Sequence, residues 1–347
     1  MINKVFEDNL ALNNIEIAEK RKNLSSRPIS LICAITNKCN TRCIMCDTWS
    51  TPWELPEKTY KEVIQLLPYL KHAIWLGGEV FLSPYFSELI KEAAKYPDLK
   101  QRINTNGLLI TKEWAEKLVQ GNVELIYSID SVNKTTYEYI RKGGRFEDLI
   151  KSLENIQAMK IKYKKKFEMF MNVVVMRSNY KELDGILEFA KKYEFKLVQF
   201  MPIQGQGTME HIFAQKDKDA DMLKYINQAI SGIEQKAKEC NIQIQNSLPS
   251  LDTLVNENAE DTARQSQDGM CYLPWQQIMI YPDGNARFGC FCERPIGNIL
   301  NSTIQDVWNS DAAQLYREHF SKNTREDICS ERCTQGRISL DLLRVGN

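Results

Sequence analysis

The feature that most restricts the fold is an alternation. From about residue 28 to 235, short apolar runs take turns with amphipathic stretches. The runs are ISLICAI (29–35), HAIWLGG (72–78), QRINTNG (101–107), VELIYSID (123–130), FEMFMNVVVM (167–176) and FKLVQFMPI (195–203), each brief and bounded by turn residues, as strands are. Helical patterns lie between and after them, at 57–70, 83–95, 112–120, 146–160, 180–193 and 217–239. Six βα units in succession imply a parallel sheet, because parallel neighbours need a crossover connection. Six are too few for the closed eight-stranded barrel. The expected fold class is therefore α/β, a partial (β/α)6 TIM-like barrel with its site at the C-terminal ends of the strands. Polar residues gather there: Asn104, Thr105 and Asn106, then Ser128 and Asp130, then residues 204–207.

The chain of 347 residues leaves room for a second domain. Residues 241–263 are polar and acidic, and beyond them come aromatics, glycines and a second set of cysteines. The expected division is a helical lead-in at 1–27, the barrel at 28–240 and a small Cys-rich domain at 265–347. The basic run KIKYKKK (160–166) reads as a solvated connector. Lys plus Arg equals Asp plus Glu at 45 each, so the global field offers nothing to a phosphate backbone, and no nucleic-acid partner is expected. With no long apolar run, no membrane partner is expected either. The start, MINKVFEDNL, lacks a signal-peptide pattern, so the expected location is cytoplasmic. In that reducing compartment ten cysteines read as thiolate ligands or buried thiols rather than disulfides.

Three of them, Cys39, Cys43 and Cys46, fall in one loop, NKCNTRCIMCDTW (37–49), directly after the first strand. A structural zinc site is closed by four ligands, commonly two tight pairs, which this triplet does not supply. A four-iron cluster held by three thiolates keeps one iron open. The spacing Cys39-x3-Cys43-x2-Cys46 resembles that of the radical S-adenosylmethionine (radical SAM) superfamily. The resemblance implies a [4Fe–4S] cluster bound by these three cysteines, with S-adenosylmethionine chelating the open iron. An electron from the cluster then cleaves the sulfonium to a 5′-deoxyadenosyl radical, which abstracts hydrogen from a substrate carbon. It also implies a reducing partner such as flavodoxin or ferredoxin.

Further motifs carry the resemblance along the barrel. Gly77, Gly78 and Glu79 are similar to the family's GGE segment, which receives the methionine ammonium, although Val80 stands where the family often has proline. Asn104 and Asn106 lie in a segment similar to its TNG motif. Ser128 and Asp130 resemble the pair that faces the ribose and the methionine carboxylate, and the resemblance implies Arg141, or alternatively Arg145, as the cation for that carboxylate. Met45 takes the place of an aromatic beside the adenine. Cys33, inside the first strand, reads as a buried small hydrophobe.

Residues 270–300 resemble the start of the SPASM or shorter twitch extension of some radical SAM enzymes. The matching pieces are Cys271 ahead of Pro274 and Trp275, the turn YPDG (281–284), Cys290 after it, and the segment IGN (296–298). An Asp-Gly hairpin there would bring Cys271 and Cys290 together. With Cys329 and Cys333 they make four thiolates, a closed site for zinc or for one auxiliary [4Fe–4S] cluster, and the cluster is what the resemblance implies. Cys292 is left over: it replaces Cys290 as ligand, lies buried, or serves catalysis by donating a hydrogen atom to a substrate radical. The expected function is a radical SAM oxidoreductase acting on a small molecule (a sugar, an aminocyclitol or similar), with the auxiliary cluster accepting an electron. The 27-residue lead-in, too short for the leader-binding domain of many peptide-modifying relatives, points the same way. The alternatives are a peptide-modifying maturase, a redox-neutral epimerase using Cys292 and, from another class, a zinc-binding scaffold protein.

Overall fold

The computed structural model describes residues 3–203, 209–213, 220–249, 271–290, 292–322 and 324. In chain order the elements are α1 (Lys4–Ala18), β1 (Ser30–Thr36), β2 (Arg42–Cys43), α2 (Glu57–Leu66), β3 (His72–Gly77), α3 (Phe86–Ala93), β4 (Lys100–Thr105), α4 (Lys112–Gln120), β5 (Val123–Ser128), α5 (Lys134–Ile140), β6 (Arg141–Lys142), α6 (Phe146–Tyr163), β7 (Met169–Val175), α7 (Asp184–Lys192), β8 (Leu197–Pro202), α8 (Ala220–Glu239), β9 (Gln243–Asn246), β10 (Gln277–Ile280), β11 (Asn285–Arg287) and β12 (Gly297–Asn298). Helices Leu273–Gln276, Ile304–Trp308 and Asp311–Ser321 lie in the C-terminal part. The six expected strands are β1, β3, β4, β5, β7 and β8. Helix α3 starts at Phe86 rather than 83 because Pro84 holds Ser83 extended, at ψ 129°.

The basic run is not a connector over its first half. Helix α6 continues through Tyr163, and Lys164 closes it in the left-handed conformation at φ 51°. Lys160 pairs with Glu194 and Lys162 with Glu116. Cations in a last turn also face the negative end of the helix dipole, which favours extending the helix through them.

The described residues form two compact units. The first draws on 1–38, 51–102 and 266–347, the second on 39–50 and 103–265. In the first unit the strand order is β12-β11-β10-β1-β3. Strand β1 runs parallel to both its neighbours, pairing Leu31 with Ala73 on one side and with Ile278 on the other. Leu31, Cys33 and Ile35 are fully buried, and burial pushes the Cys33 thiol up to about 12, as suits an inert core residue.

Helix α1 docks through polar rather than apolar side chains. Its buried residues are Asn9, Asn13 and Glu16. Asn9 exchanges two bonds with the Arg27 backbone, and Asn13 Nδ2 donates to the Trp275 carbonyl at 2.6 Å. Glu16 accepts from the Ser25 and Ser26 amides and the Ser26 hydroxyl. Deeper in the same unit, the guanidinium of the buried Arg317 donates to the carbonyls of Pro274, Lys22 and Trp308, each at 2.8 Å, and lies over the Trp308 ring. Glu16 and Arg317 tolerate burial because several hydrogen bonds compensate their charged groups.

In the second unit the order is β4-β5-β7-β8-β9, with β5, β7, β8 and β9 parallel in sequence. The pleat sorts the side chains: Val123, Leu125 and Tyr127 of β5 and Met169, Met171, Val173 and Val175 of β7 are buried, while their alternates are less so. A separate antiparallel ribbon joins β2 to β6, pairing Arg42 with Lys142 and Cys43 with Arg141.

Candidate functional site

Two glycines shape the approach to the cysteine loop. Within the first unit, Gly77 sits at φ 145°, and a Cβ on it would lie 2.2 Å from the Thr36 carbonyl oxygen. A Cβ on Gly78 would lie 2.3 Å from the Lys38 oxygen and 2.6 Å from that of Asn37. The glycines let the end of β3 run against residues 36–38, with Gly78 N–H donating to Thr36 O at 2.5 Å and Glu79 N–H to Lys38 O at 2.8 Å. Lys38 is the residue before Cys39. The Glu79 side chain is buried and accepts from the Phe81 amide, capping the turn at 80–82. Gly78→Ala is therefore expected to lower stability by about 3 kcal/mol, whereas Gly232→Ala in α8, where a Cβ meets nothing within 4 Å, should raise it by about 1 kcal/mol. Thermal unfolding of the two variants checks the contrast.

The cysteine loop itself lies in the second unit. The Thr41 hydroxyl stands between two sulfurs, 3.3 Å from Cys39 Sγ and 3.4 Å from Cys43 Sγ. Asn106 Nδ2 donates to Asn40 Oδ1 at 2.7 Å and reaches Cys39 Sγ at 3.9 Å, while Arg141 Nη1 reaches Cys43 Sγ at 3.8 Å. Burial pushes the Cys43 thiol up, opposed by the Arg141 guanidinium and the Thr41 hydroxyl. Cys46 is exposed, and Met45 packs on Ile140, Met176 and Ile203.

Two residues that sequence reasoning missed brace this loop. Arg42 donates to the carbonyls of Cys39 at 2.7 Å and Thr41 at 2.9 Å, and its guanidinium lies 4.8 Å from the centre of the Trp49 ring. Trp49 Nε1 in turn donates to the Cys46 carbonyl at 2.8 Å. The signal available was only an Arg and a Trp flanking the cysteines. Neither belongs to a motif.

Among the cofactor contacts expected at the strand ends, two meet each other. Asp130 and Arg141 form a buried ion pair at 2.7 Å, and the other Asp130 oxygen accepts from the Val174 amide at 2.9 Å. Burial pushes the Asp130 carboxyl up, with Arg141 and the Val174 amide working against it. Burial also opposes the Arg141 charge, but the neighbouring Asp130 and Cys43 hold the guanidinium protonated. Ser128, half-buried, ends β5 opposite Asn172. Arg145 is exposed at the N-terminus of α6.

In the first unit, the turn expected at 281–284 is a hairpin between β10 and β11: Gly284 takes φ 82°, and its N–H donates to Tyr281 O at 2.9 Å. Cys271 and Cys292 are buried and Cys290 is exposed. Cys290 Sγ lies 3.7 Å from Met279 Sδ, and burial of much of its thiol pushes its pKa up. The Cys292 carbonyl accepts from Arg287 Nη1 at 3.3 Å. Cys329 and Cys333 lie outside the described residues.

The donor set fits the cofactors the motifs imply. Three thiols share one braced loop, and the Asn106 amide, the Arg141 guanidinium and the Thr41 hydroxyl lie against the sulfurs of Cys39 and Cys43, contacts that suit thiolate ligands of a cluster. Among the described residues no three His, Cys, Asp or Glu side chains converge on a point where one ion would sit. A cube takes its thiolates at separate irons, so such convergence is not needed. Asn104 Oδ1 and Arg141 Nε are buried with no hydrogen-bond partner among the described residues, leaving an acceptor and a donor for a polar ligand.

Residues 33–190 match the radical SAM superfamily, and residues 271–334 match SPASM, an iron–sulfur cluster-binding domain. The chain carries a radical SAM domain and, C-terminal to it, a SPASM domain; the first kind of domain binds a [4Fe–4S] cluster with S-adenosylmethionine and the second binds auxiliary iron–sulfur clusters. Among its relatives, the mycofactocin maturase MftC of Mycobacterium tuberculosis is 29% identical over 189 residues, covering 52% of this chain and 46% of that protein. The GTP 3′,8-cyclase of Petrotoga mobilis is 28% identical over 186 residues, covering 49% and 55%. The chain thus spans about half the length of the curated relatives it matches. Streptococcus suis SuiB, solved with S-adenosylmethionine and also with its precursor peptide SuiA, shares the fold. In the former structure the TM-score is 0.64 at 17% identity, over 86% of this chain and 69% of SuiB. The expected α/β class, a mostly parallel sheet of the partial-barrel kind with a SPASM segment after it, stands. No helix among the described residues is long and apolar enough to cross a membrane.

Proposed function

We propose that this chain is the radical SAM catalyst of a peptide maturation reaction, working in a reducing compartment such as the cytoplasm. The observation that carries the reading is the union of a braced three-thiol loop with a SPASM segment in one chain. The likeness to a maturase and the fold shared with a protein solved with its precursor peptide support it. They favour a peptide over the small-molecule substrate expected above. The resemblance to a GTP cyclase supports a second reading, in which a small molecule is the substrate.

When bound, the cluster supplies the electron that cleaves S-adenosylmethionine. The chain's own residues have the remaining tasks in this reading. Cys39, Cys43 and Cys46 hold the cluster. Asn104 and Ser128 present polar groups to the nucleoside, Gly77, Gly78 and Glu79 the methionine ammonium site, and Met45 an apolar surface for the adenine. Arg141 neutralises Asp130 and keeps positive charge beside Cys43. Cys271 and Cys290, with Cys329 and Cys333, hold the auxiliary cluster, and Cys292 is the candidate hydrogen donor if the outcome is epimerisation.

The test is substrate-dependent release of 5′-deoxyadenosine by the anaerobically reconstituted chain, with precursor peptides set against sugars, aminocyclitols and nucleotides. Release stimulated by a peptide that loses two hydrogens is the expected result. Stimulation by a nucleotide or sugar alone would overturn the peptide reading. In deuterated water, a product of otherwise unchanged composition that retains solvent deuterium at carbon would establish an epimerase instead.

A further inference from the structure

The hairpin of β10 and β11 has one face packed and one face open. Ile278, Ile280, Ala286 and Phe288 are fully buried. Tyr281, Asn285 and Arg287 alternate with them on the opposite face and are half-buried. Because Ile278 pairs with Leu31 of β1, and Leu31 with Ala73 of β3, this second face continues the one that carries Ile32, Ile74 and Leu76. Tyr281 stands at the C-terminal end of β10, the end of the sheet where folds of this kind hold their sites. Arg287 lies opposite Met279 in the ladder, with its guanidinium 5.3 Å from the centre of the Tyr281 ring. Its Nη1 donates to the Cys292 carbonyl at 3.3 Å, and its Nε is buried with no hydrogen-bond partner among the described residues. Leaving a buried donor unmet is costly, so this one calls for an acceptor that the fold does not supply. The charge is unmet as well. The carboxylates nearest in sequence are Asp283 and Glu293. Asp283 accepts from both the backbone amide and the side chain of Asn285, and Glu293 is exposed. Among the described residues, neither these nor any other carboxylate lies within ion-pair distance of the guanidinium.

We propose that Arg287, steadied by Tyr281, is the anchor for a carboxylate of the substrate, an aspartate or glutamate side chain close to the residue that is oxidised. The proposal rests on the peptide reading and adds to it a requirement on the peptide's own sequence. A guanidinium presents its donors as a rigid fork that a carboxylate matches with two parallel bonds, and the ring against it holds that fork in one orientation. Half-burial strengthens the pair, since water screens it less than at an open surface. Arg287 is the one cation among the described residues of this hairpin face. A single fork suits a singly charged carboxylate better than a phosphate, whose greater charge calls for several cations. Cys290 Sγ lies 3.7 Å from Met279 Sδ, across the ladder from Arg287, and the Cys292 carbonyl touches the guanidinium itself. A carboxylate seated there therefore fixes the register of the peptide along the hairpin, next to both cysteines.

The test uses the full chain with its clusters reconstituted anaerobically and N-acetylglutamate amide as the probe, with N-acetylglutamine amide and inorganic phosphate beside it. Phenylglyoxal labels accessible arginines, and peptide mapping gives the rate at each one. The glutamate probe is expected to slow the labelling of Arg287 about fivefold by occupying the fork, and the glutamine probe to leave it unchanged. Arg21, exposed in the same unit and paired with Glu19, should be indifferent to all three. Calorimetry should show affinity for the glutamate probe falling about tenfold in Arg287→Gln, with Arg287→Lys intermediate, because a point charge replaces the fork. The footprint needs no variant, so it decides the matter even if Arg287→Gln fails to fold. If the glutamate probe protects Arg287 no better than the glutamine probe, the anchor is overturned, and precursor peptides that still stimulate 5′-deoxyadenosine release leave the peptide reading standing. Should phosphate protect Arg287 where the glutamate probe does not, the anion is a phosphate and the peptide reading falls with the anchor. If Arg287→Gln shifts the auxiliary-cluster potential yet keeps its affinity for the glutamate probe, the guanidinium serves the cluster and not the substrate.

Discussion

Replacing Cys39, Cys43 and Cys46 together by alanine is expected to remove about four irons per chain and to abolish 5′-deoxyadenosine release, while the C-terminal iron is retained. The size of the effect follows from how the loop is built. Thr41, Asn106 and Arg141 all address sulfurs, and Arg42 and Trp49 hold the carbonyls of Cys39, Thr41 and Cys46. None of them offers a substitute ligand once the thiols are gone. Iron and sulfide analysis of the anaerobically purified variant, beside its circular dichroism, checks the result. A triple variant that kept its full iron complement would show that the loop is not a ligand set. A colourless wild type containing only zinc would return the chain to the scaffold class.

The second large effect concerns Arg141. Replacing it by methionine leaves Asp130 buried with only the Val174 amide for support, which should cost about 3–5 kcal/mol of stability, since an uncompensated buried charge is expensive. The paired variant Arg141→Met with Asp130→Leu is expected to recover most of that stability, because it removes the charge and its partner together. It should not recover activity. Loss of the Arg141 donor to Cys43 Sγ removes a group that stabilises the more negative, reduced cluster, so its potential should move to more negative values. Denaturant unfolding and a redox titration separate the two roles. If the double variant cleaved S-adenosylmethionine at the wild-type rate, Arg141 would be a structural cation and nothing more.

Much of the barrel was readable along the chain because its strands are short apolar runs in the right rhythm. Helix α4 occupies 112–120, the bounds its periodicity predicts. The elements that escaped are those whose reasons lie outside their own sequence. Strands β2 and β6 have two residues each and exist only because they pair. Strand β9, QIQN, is mostly exposed and polar, so nothing in its composition distinguishes it from the acidic stretch that follows. Helix α1 was expected as a helical lead-in, but the way it docks was not legible, because it is held through Asn9, Asn13 and Glu16, whose partners are more than eight residues away.

The site followed the same rule. The cysteine spacing and the strand-end motifs could be read in one dimension, since each is set by a loop of fixed length. Asp130 and Arg141 were both marked as cofactor contacts, yet their pairing depends on α5 turning the chain back toward β5, which no local pattern announces. Thr41, Arg42 and Trp49 were passed over because their work is done on backbone carbonyls and sulfurs, targets that any residue type can offer.

Strand β10 lies parallel to β1, residue 277 beside Ser30 and Ile280 beside Cys33. A piece of chain from the far end of the sequence thus guards one flank of the strand that leads into the cysteines. Had it been absent, the amides and carbonyls along that flank would face water as an adhesive border, ready to recruit another copy. A gene shortened after codon 245 is therefore expected to yield clumped, iron-poor protein, and the last third of the chain is as much a part of the catalyst's keel as a holder of its own cluster.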